Sequence, residues 1–313
     1  MPHPCPRAAS GLLETRQFLV GAACGVIAVT IWAGWLVMMK LGVTTTLSTS
    51  DLIALRFAVA GPVLLPVVIR RGLGIDRLGW AGFIAVVVGA GAPQLLVVGA
   101  GLMFAPVAHA GALYQGVVPL AVACLASVVL KERLAAIRKI GLSLVLVGAF
   151  MIAGVGLASL GGRQSIGHLL FLAAAGMVAG YTVAIRRARI DGLHAAAIAA
   201  VASLLIYLPL YAAFLEDGLF KAPVTDLVVQ ALYQGILTAA VSLALYGRAI
   251  RILGASNAAV FVAFGPIMAA LMAIPMIGEW PSPTDWMAII LVATGVYLSS
   301  GGPLPRLIAR ADA

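Results

Sequence analysis

The chain has 313 residues, of which 63% are hydrophobic and only 10% carry a charge, and its mean hydropathy is +1.10. A water-soluble globular domain does not sustain such a composition, so the sequence predicts an integral membrane protein. The net charge is +9, yet no nucleic-acid partner is expected, because the basic residues lie between apolar segments, as they do in membrane proteins. The expected partners are the lipid bilayer and a small-molecule substrate.

Ten apolar stretches succeed one another along the chain, each of about 20 residues and so long enough to cross a membrane as a helix. They cover residues 18–39, 51–70, 78–100, 106–130, 135–158, 165–185, 194–215, 224–247, 255–278 and 284–303. The stretches are continuously apolar and do not alternate apolar with polar residues, which favours helices over a β-barrel. The sequence therefore predicts an all-α integral membrane protein with ten transmembrane helices between two tails, residues 1–17 and 304–313.

The distribution of Lys and Arg orients these helices. With the N-terminus in the cytoplasm, sixteen Lys and Arg residues fall in inside loops and tails, and three, Lys40, Arg163 and Lys221, fall outside. This excess follows the positive-inside rule. It predicts a multi-pass protein with both the N- and the C-terminus in the cytoplasm.

The second half of the chain repeats the first at a fixed offset of 147 residues. Ala112, Pro119, Ala123, Ala126, Glu132, Leu144, Val145 and Gly148 recur as Ala259, Pro266, Ala270, Ala273, Glu279, Leu291, Val292 and Gly295. Pro and Glu are uncommon in apolar segments, so their recurrence at the same spacing indicates two related units, residues 18–158 and 165–303. Because each unit has five spans, the second must be inverted relative to the first.

The repeated Pro and Glu positions have different expected roles. Thirteen residues of helix rise about 20 Å, so Pro119 and Pro266 lie toward mid-membrane when Glu132 and Glu279 lie at its edges. Each Pro bends its helix, either as a packing kink or as a hinge beside a midplane site. The two Glu side chains are expected at opposite faces, too far apart for acid–base catalysis, and suited to capping or pairing near helix ends.

The motifs of both halves resemble those of the EamA-type transporters of the drug/metabolite transporter superfamily. In the second half the resemblance lies in LYGRAIRILGASNAA over residues 245–259, followed by Pro266, Gly278, Glu279 and Gly295. In the first half it lies in residues 108–112, 131–133 and 32–40, in Leu55-Arg56-Phe57, and in Pro119, Gly141 and Gly148. The resemblance implies movement of small organic metabolites or amino acids, often outward, across a bacterial inner membrane.

Two features known from relatives in that superfamily are missing here. The small multidrug transporters carry a membrane-embedded Glu in the first helix, whereas Glu14 of this chain precedes the first span. Proton coupling through such a carboxylate is therefore not supported. The sugar-phosphate transporters carry a cluster of Lys and Arg deep in their helices, and no such cluster occurs in this sequence, which disfavours phosphorylated substrates.

A stripe of polar residues runs along the eighth span. Gln230, Gln234, Thr238 and Ser242 follow one another at four-residue steps, so they share one helix face over about 18 Å, with a drift of about 40° per step. Such a stripe turns away from lipid, either toward a substrate cavity or toward hydrogen bonds with another helix. The two interpretations have equal support from the sequence.

Aromatic residues form a second group of cavity candidates. Trp32 and Trp35 share a face of the first span, and Tyr181 occupies the position in the sixth span that matches Trp32. An aromatic pair near mid-membrane can stack on a planar or apolar substrate. Interfacial anchoring or packing explains the same residues.

Three further polar residues lie inside spans. Arg56 could bind a substrate carboxylate, extend to the membrane surface or pair with Asp51, although a spacing of five residues puts Asp51 on another helix face. Gln94 follows a Gly/Pro-rich break in the third span and is either a cavity residue or part of an interhelical hydrogen bond. His109, near the outer end of the fourth span, is a possible titrating group or an ordinary interfacial residue.

No motif indicates catalysis, a metal site or a cofactor, and the three Cys residues have no ligand or disulfide spacing. The expected function is secondary transport of small metabolites, most of all export of amino acids or related compounds by alternating access. A non-transporting sensor or partner subunit and a membrane-embedded lipid-modifying enzyme are the alternatives, of which the enzyme lacks the clustered Asp, His or Cys it would need. Small residues on several helices also allow a homodimer.

Overall fold

The computed structural model describes residues 6–45, 47–132, 134–157, 162–214 and 218–300, and every regular element in these ranges is helical. The principal helices are α1 (Pro6–Thr44), α2 (Thr49–Arg71), α3 (Ile75–Phe104), α4 (Val107–Val129), α5 (Ala136–Leu157), α6 (Arg163–Ala188), α7 (Gly192–Phe214), α8 (Val224–Leu253), α9 (Asn257–Ile277) and α10 (Pro283–Ser299). A single helical turn, Gly218–Lys221, precedes α8. The all-helical prediction is confirmed for this part of the chain.

Nine of these described helices are long and apolar enough to cross a membrane. The tenth predicted span, residues 284–303, corresponds to α10, which has 17 residues and is the shortest of the set. The count of ten transmembrane helices and the placement of both termini in the cytoplasm therefore stay predictions. Arg133, Arg306 and Arg310, which contribute to the predicted inside charge, lie outside the described residues.

Helix starts follow local sequence signals at two places. Ser48 and Ser282 stand three residues before Asp51 and Asp285, and each pair forms a reciprocal capping box at the start of α2 and α10. The Ser hydroxyl accepts the backbone N–H of the Asp, and the Asp carboxylate accepts the backbone N–H of the Ser. These bonds satisfy N–H groups that a helix leaves free at its first turn.

The helix contacts repeat between the two halves. The most extensive contacts join α5 with α10, α2 with α7, α3 with α6, and α1 with α8. Each helix of the first half has its equivalent five helices later in the second half. When every helix is exchanged for its equivalent, the pair α1–α8 becomes α6–α3, and the pairs α5–α10 and α2–α7 stay the same. The packing therefore has the pseudo-twofold pattern that two related five-helix units produce.

Two glycines bring α5 and α10 together. A Cβ atom added at Gly295 would lie 2.5 Å from the carbonyl oxygen of Gly141, and one added at Gly141 would lie 2.6 Å from the carbonyl oxygen of Gly295. Only a residue without a Cβ permits such an approach of two backbones. Gly141 and Gly295 are therefore engaged within the chain, and a homodimer stays a prediction that these two glycines do not support.

Candidate functional site

Two helices widen where the polar residues of the predicted spans are concentrated. α4 is π-helical over Gly111–Gly116, and α8 is π-helical over Ala231–Val241. Such segments are rare in proteins and occur frequently at functional sites. In a π-helix the backbone hydrogen bond runs from residue i to i+5, so four residues complete slightly less than one turn, whereas in an α-helix they complete slightly more.

The polar stripe of α8 faces the protein interior along its whole length. Gln230, Gln234, Thr238 and Ser242 are 4%, 0%, 5% and 0% exposed. At one end Gln230 donates from Nε2 to the carbonyl of Met38 (2.9 Å), and at the other Ser242 Oγ accepts from Trp32 Nε1 (2.8 Å). The ends of the stripe therefore bind α1, while its centre, at Gln234 and Thr238, is left to other partners.

Two pairs of aromatic rings line α1. Trp32 packs on Tyr246 with 5.0 Å between ring centroids, and Trp35 meets Tyr114 edge-on at 6.2 Å. Tyr181, which the repeat matches to Trp32, does not pack with it and lies against a separate apolar cluster of Val86, Ile198 and Ala199. Its Cβ approaches Gly89 of α3. The structure thus assigns the two matched aromatics to different helix pairs, α1–α8 and α3–α6.

Arg56 connects α2 to this interior region. Its Nη1 donates a 3.0 Å hydrogen bond to Thr238 Oγ1, and its guanidinium carbon lies 5.8 Å from the centroid of the Trp35 ring. Asp51 is not its partner, because that buried carboxylate caps α2 and accepts the hydroxyl hydrogen of Tyr211. Across the residues that the structure describes, no carboxylate lies within ion-pair distance of Arg56.

Several buried polar atoms in the same region have no partner in the described structure. They are Trp35 Nε1, Gln94 Nε2, Gln115 Oε1 and Gln234 Oε1. Tyr114 links the group, since its side chain interacts with both Gln94 and Arg56. We call Trp35, Arg56, Gln94, Tyr114 and Gln234 the central site. Buried polar groups in folded proteins are nearly always hydrogen-bonded, so this concentration of unpaired atoms indicates the place of a ligand or of ordered water.

Sequence reasoning missed Tyr114, Gln115 and Tyr246. Tyr114 and Gln115 follow the small-residue segment 108–112, and polar side chains inside an apolar span are the signal that could have identified them. Tyr246 lies in the segment 245–259, which served only as evidence of the family resemblance and not as a source of site residues. Its contact with Trp32 depends on two helices that are far apart in sequence.

The two repeated prolines follow tight turns in the middle of their helices. Before Pro119 the N–H of Val117 bonds to Tyr114 O, and before Pro266 the N–H of Phe264 bonds to Phe261 O. α4 and α9 cross here, since a Cβ added at Gly111 would lie 3.2 Å from the backbone of Pro266. Local geometry of this kind suits a hinge, and the hinge role of both prolines stays a prediction.

One ion pair joins three elements at the end of the bundle where α1 ends and α4 begins, the predicted outer face. Lys40 Nζ lies 3.7 Å from Glu279 Oε1 and donates to the carbonyl oxygens at the end of α3. Glu279 Oε2 accepts the backbone N–H of Val107 (2.7 Å), the first residue of α4. We call these three residues the outer lock, because they hold α1 and the α3–α4 corner to the loop between α9 and α10.

A buried imidazole chain lies next to the outer lock. His109 Nε2 is 3.1 Å from Asp285 Oδ1, and His109 Nδ1 is 2.9 Å from His168 Nε2 and 3.2 Å from Gln164 Nε2. Since a carboxylate only accepts, His109 Nε2–H donates to Asp285, and His109 Nδ1 faces the side-chain nitrogens of His168 and Gln164. His109 is thus part of a network that joins α4 to α6 and α10.

The outer lock differs from its counterpart in the other half, and this difference can be measured. Glu132, the repeat equivalent of Glu279, lies 3.9 Å from Arg186, and both side chains are exposed. We expect Glu279→Gln to lower the free energy of unfolding by about 1–2 kcal/mol, because a partly buried charged hydrogen bond and ion pair are lost. Glu132→Gln, the matched control, is expected to change it by no more than about 0.5 kcal/mol.

Thermal unfolding of both variants in detergent tests this prediction. A drop in midpoint that is confined to Glu279→Gln supports the lock. Equal changes in the two variants would contradict it, because the outer contact would then contribute no more than an exposed surface pair.

Comparison with known proteins agrees with this architecture. The family model of the EamA-like transporter family matches residues 19–154 and again 165–301. The crystal structure of another protein is similar to this one, with a TM-score of 0.61 and 21% sequence identity. The match covers 95% of this chain and 99% of the other chain. That likeness concerns the fold. No curated protein matches this chain.

An all-helical membrane protein of two repeated halves, with buried polar residues between them, has the architecture of a membrane transporter. The two family matches cover nearly the whole chain, one for each half. The chain belongs to the EamA-like transporter family.

Proposed function

We propose that the protein moves a small organic metabolite, most of all an amino acid or a related compound, out of a bacterial cell across its inner membrane. The observation that carries this proposal is the central site, where unpaired buried polar atoms lie beside aromatic rings between helices of both halves. Binding sites of secondary transporters occupy this position at the interface of two repeats. The excess of Lys and Arg on one side of the predicted helices supports termini in the cytoplasm.

Alternating access is the mechanism that this geometry favours. At the predicted outer face, the outer lock and the His109 chain tie the first half to the second. At the opposite end, the exposed side chains of Glu132 and Arg186 form a long ion pair of 3.9 Å. A groove of about 550 Å³ opens there between α1 and α8, lined by Arg16, Val20 and Arg248 among others. The difference between the two ends is that expected of a conformation closed outside and looser inside.

Flux measurements in proteoliposomes test the proposal. The purified protein is reconstituted, and uptake of labelled amino acids and small metabolites is measured with and without a pH gradient. We expect saturable flux that Trp32→Ala reduces about tenfold at low substrate concentration, equivalent to about 1.4 kcal/mol of binding energy. Trp80→Ala is the matched control, because Trp80 lies exposed on α3 and away from the central site.

The two variants also separate the transport proposal from a general effect of losing a large aromatic residue. A selective loss with Trp32→Ala supports a path along α1. Folded wild-type protein that moves no compound of a broad panel would contradict the transport proposal.

A further inference from the structure

We propose that the substrate is a small carboxylate that also carries an N–H or O–H donor, that Arg56 binds the carboxylate, and that Gln234 and Gln115 accept from the donor. This inference rests on the proposed transport function and specifies its substrate class. It excludes organic cations and uncharged hydrophobic compounds as the main substrates. The argument begins with the charge of Arg56.

Arg56 is a cation within a membrane helix, and no counter-ion lies beside it among the described residues. Its neighbours are the hydroxyl of Thr238, the ring of Trp35 and the side chain of Tyr114, none of which is a carboxylate. Among the described residues Thr238 is the one acceptor of a hydrogen bond from Arg56. A charged residue in a membrane interior is costly unless it is paired, by about 2.5–3.5 kcal/mol on the lower scales. An arriving carboxylate would supply the missing charge and fit the guanidinium fork with two parallel hydrogen bonds.

Two unpaired donors belong to the same central site as Arg56. Trp35, whose ring lies under Arg56, has an Nε1–H without an acceptor, and Gln94, whose side chain lies near that of Tyr114, has an Nε2 without a hydrogen-bond partner in the described structure. Both side chains are more than nine-tenths buried. Buried N–H donors next to an unpaired cation form an environment that stabilises negative charge.

Two unpaired acceptors lie close by, and the hydrogen-bond network fixes which atom of each amide is free. Gln230 donates from Nε2 to Met38 O, so its Oε1 must accept from Gln234 Nε2, and Gln234 Oε1 is left unpaired. Gln115 donates from Nε2 to the carbonyl oxygen of Trp32, which leaves its Oε1 unpaired in the same way. Gln234 precedes Thr238, the partner of Arg56, by one helical turn.

These two oxygens are neutral acceptors. They suit an ammonium, amide or hydroxyl donor of the substrate and repel a second carboxylate. A substrate with a carboxylate at one end and a donor close to it matches the arrangement, which describes amino acids and hydroxy acids. The aromatic rings of Trp32 and Trp35 provide an apolar wall for a side chain.

Four related compounds test the inference in proteoliposomes. They are L-phenylalanine, its 2-hydroxy acid analogue, its amide, and the amine that remains when the carboxylate is removed. We expect saturable transport of the two carboxylates and at least a hundredfold weaker transport of the amide and the amine. Transport of both carboxylates would assign the donor contact to N–H and O–H groups alike, and transport of the amino acid alone would assign it to the ammonium group.

Substitution of Arg56 then connects this selectivity to the proposed residue. We expect Arg56→Gln to reduce transport of the carboxylates at least a hundredfold, and Arg56→Lys, which keeps the charge without the fork, to reduce it about tenfold. Arg70→Gln, at the exposed end of the same helix, is the matched control and is expected to leave transport unchanged. The thermal midpoint of each variant is measured in detergent, and Arg56→Lys decides the question if Arg56→Gln does not fold.

The outcomes distinguish the inference from the function on which it rests. Carboxylate transport that persists undiminished in a folded Arg56→Gln protein, or wild-type transport of the amide or the amine as strong as that of the carboxylates, would overturn the carboxylate inference and leave the transport function standing. An equal loss of all four compounds in Arg56→Lys would also overturn it, because Arg56 would then have a structural role. Wild-type protein that transports neither these compounds nor those of the broader panel would refute the transport function itself.

Discussion

Gly295→Ala is expected to lower the stability of this protein strongly, because the added methyl group would collide with the backbone of another helix. The new Cβ would lie 2.5 Å from the carbonyl oxygen of Gly141, 2.7 Å from the backbone nitrogen of Val145 and 2.8 Å from its side chain. Two of these three neighbours are backbone atoms, which cannot rotate away. α5 and α10 would have to separate along their contact. Overpacking of this kind costs about 1–3 kcal/mol and sometimes more.

The thermal unfolding midpoint in detergent measures this loss, and Gly176→Ala is its matched control. Gly176 lies in α6, and a Cβ added there meets nothing within 4 Å, so alanine is expected to be neutral or slightly stabilising in that helix. A midpoint of Gly295→Ala equal to that of Gly176→Ala would contradict the close contact of α5 with α10. Gly141→Ala is expected to behave as Gly295→Ala does, because the contact is reciprocal.

Replacement of His109 with leucine is also expected to lower the free energy of unfolding strongly. The change removes the donor to Asp285 and the hydrogen-bond partner of His168 at once, and leaves a partly buried carboxylate and a buried imidazole without that partner. Each buried polar group that loses its partner costs about 1–3 kcal/mol. Since the hydrogen bonds of His109 join α4 to α6 and α10, their loss should also loosen the outer end of the bundle.

A double-mutant cycle with Asp285→Asn separates the His109–Asp285 interaction from the general cost of the substitution. Asn keeps the shape of the side chain and removes its charge, so the double variant should be more stable than the sum of the two single losses predicts. We expect a coupling energy of about 1–3 kcal/mol from thermal or chemical unfolding of the four proteins. Strict additivity would show that the two side chains do not interact, and the network would then be reduced to His168 and Gln164.

The polar residues of α8 show what can be predicted from spacing. Four polar side chains at four-residue steps in an apolar segment must avoid lipid, so their common orientation follows from the sequence alone. The two interpretations that the sequence left open both have a counterpart in the structure. Gln230 and Ser242 make hydrogen bonds with α1, while Gln234 keeps an unpaired oxygen at the centre. Whether a residue of the stripe bonds to α1 or keeps an unpaired polar atom depends on where α1 crosses the stripe.

Trp32 and Tyr181 show why matched positions of an inverted repeat need not meet. A pseudo-twofold operation brings equivalent residues together only when they lie near its axis. Gly111 of α4 contacts Pro266 of α9, which places the proline regions of the two halves close to that axis. Trp32 and Tyr181 lie farther out, and each packs against a helix of the opposite half.

The sequence by itself determined the membrane location, the helix positions and the two repeats, because hydropathy, charge and residue spacing are local or periodic properties of the chain. It also identified Arg56 as an unusual cation inside a span. Only the tertiary structure decided its partners, since Thr238 is 182 residues away and Trp32 reaches Ser242 over a separation of 210. Hydrogen bonds between distant segments depend on helix crossing and local widening. For that reason the unpaired donors and acceptors of the central site, from which we propose a carboxylate substrate, could be recognised only once the helices were packed.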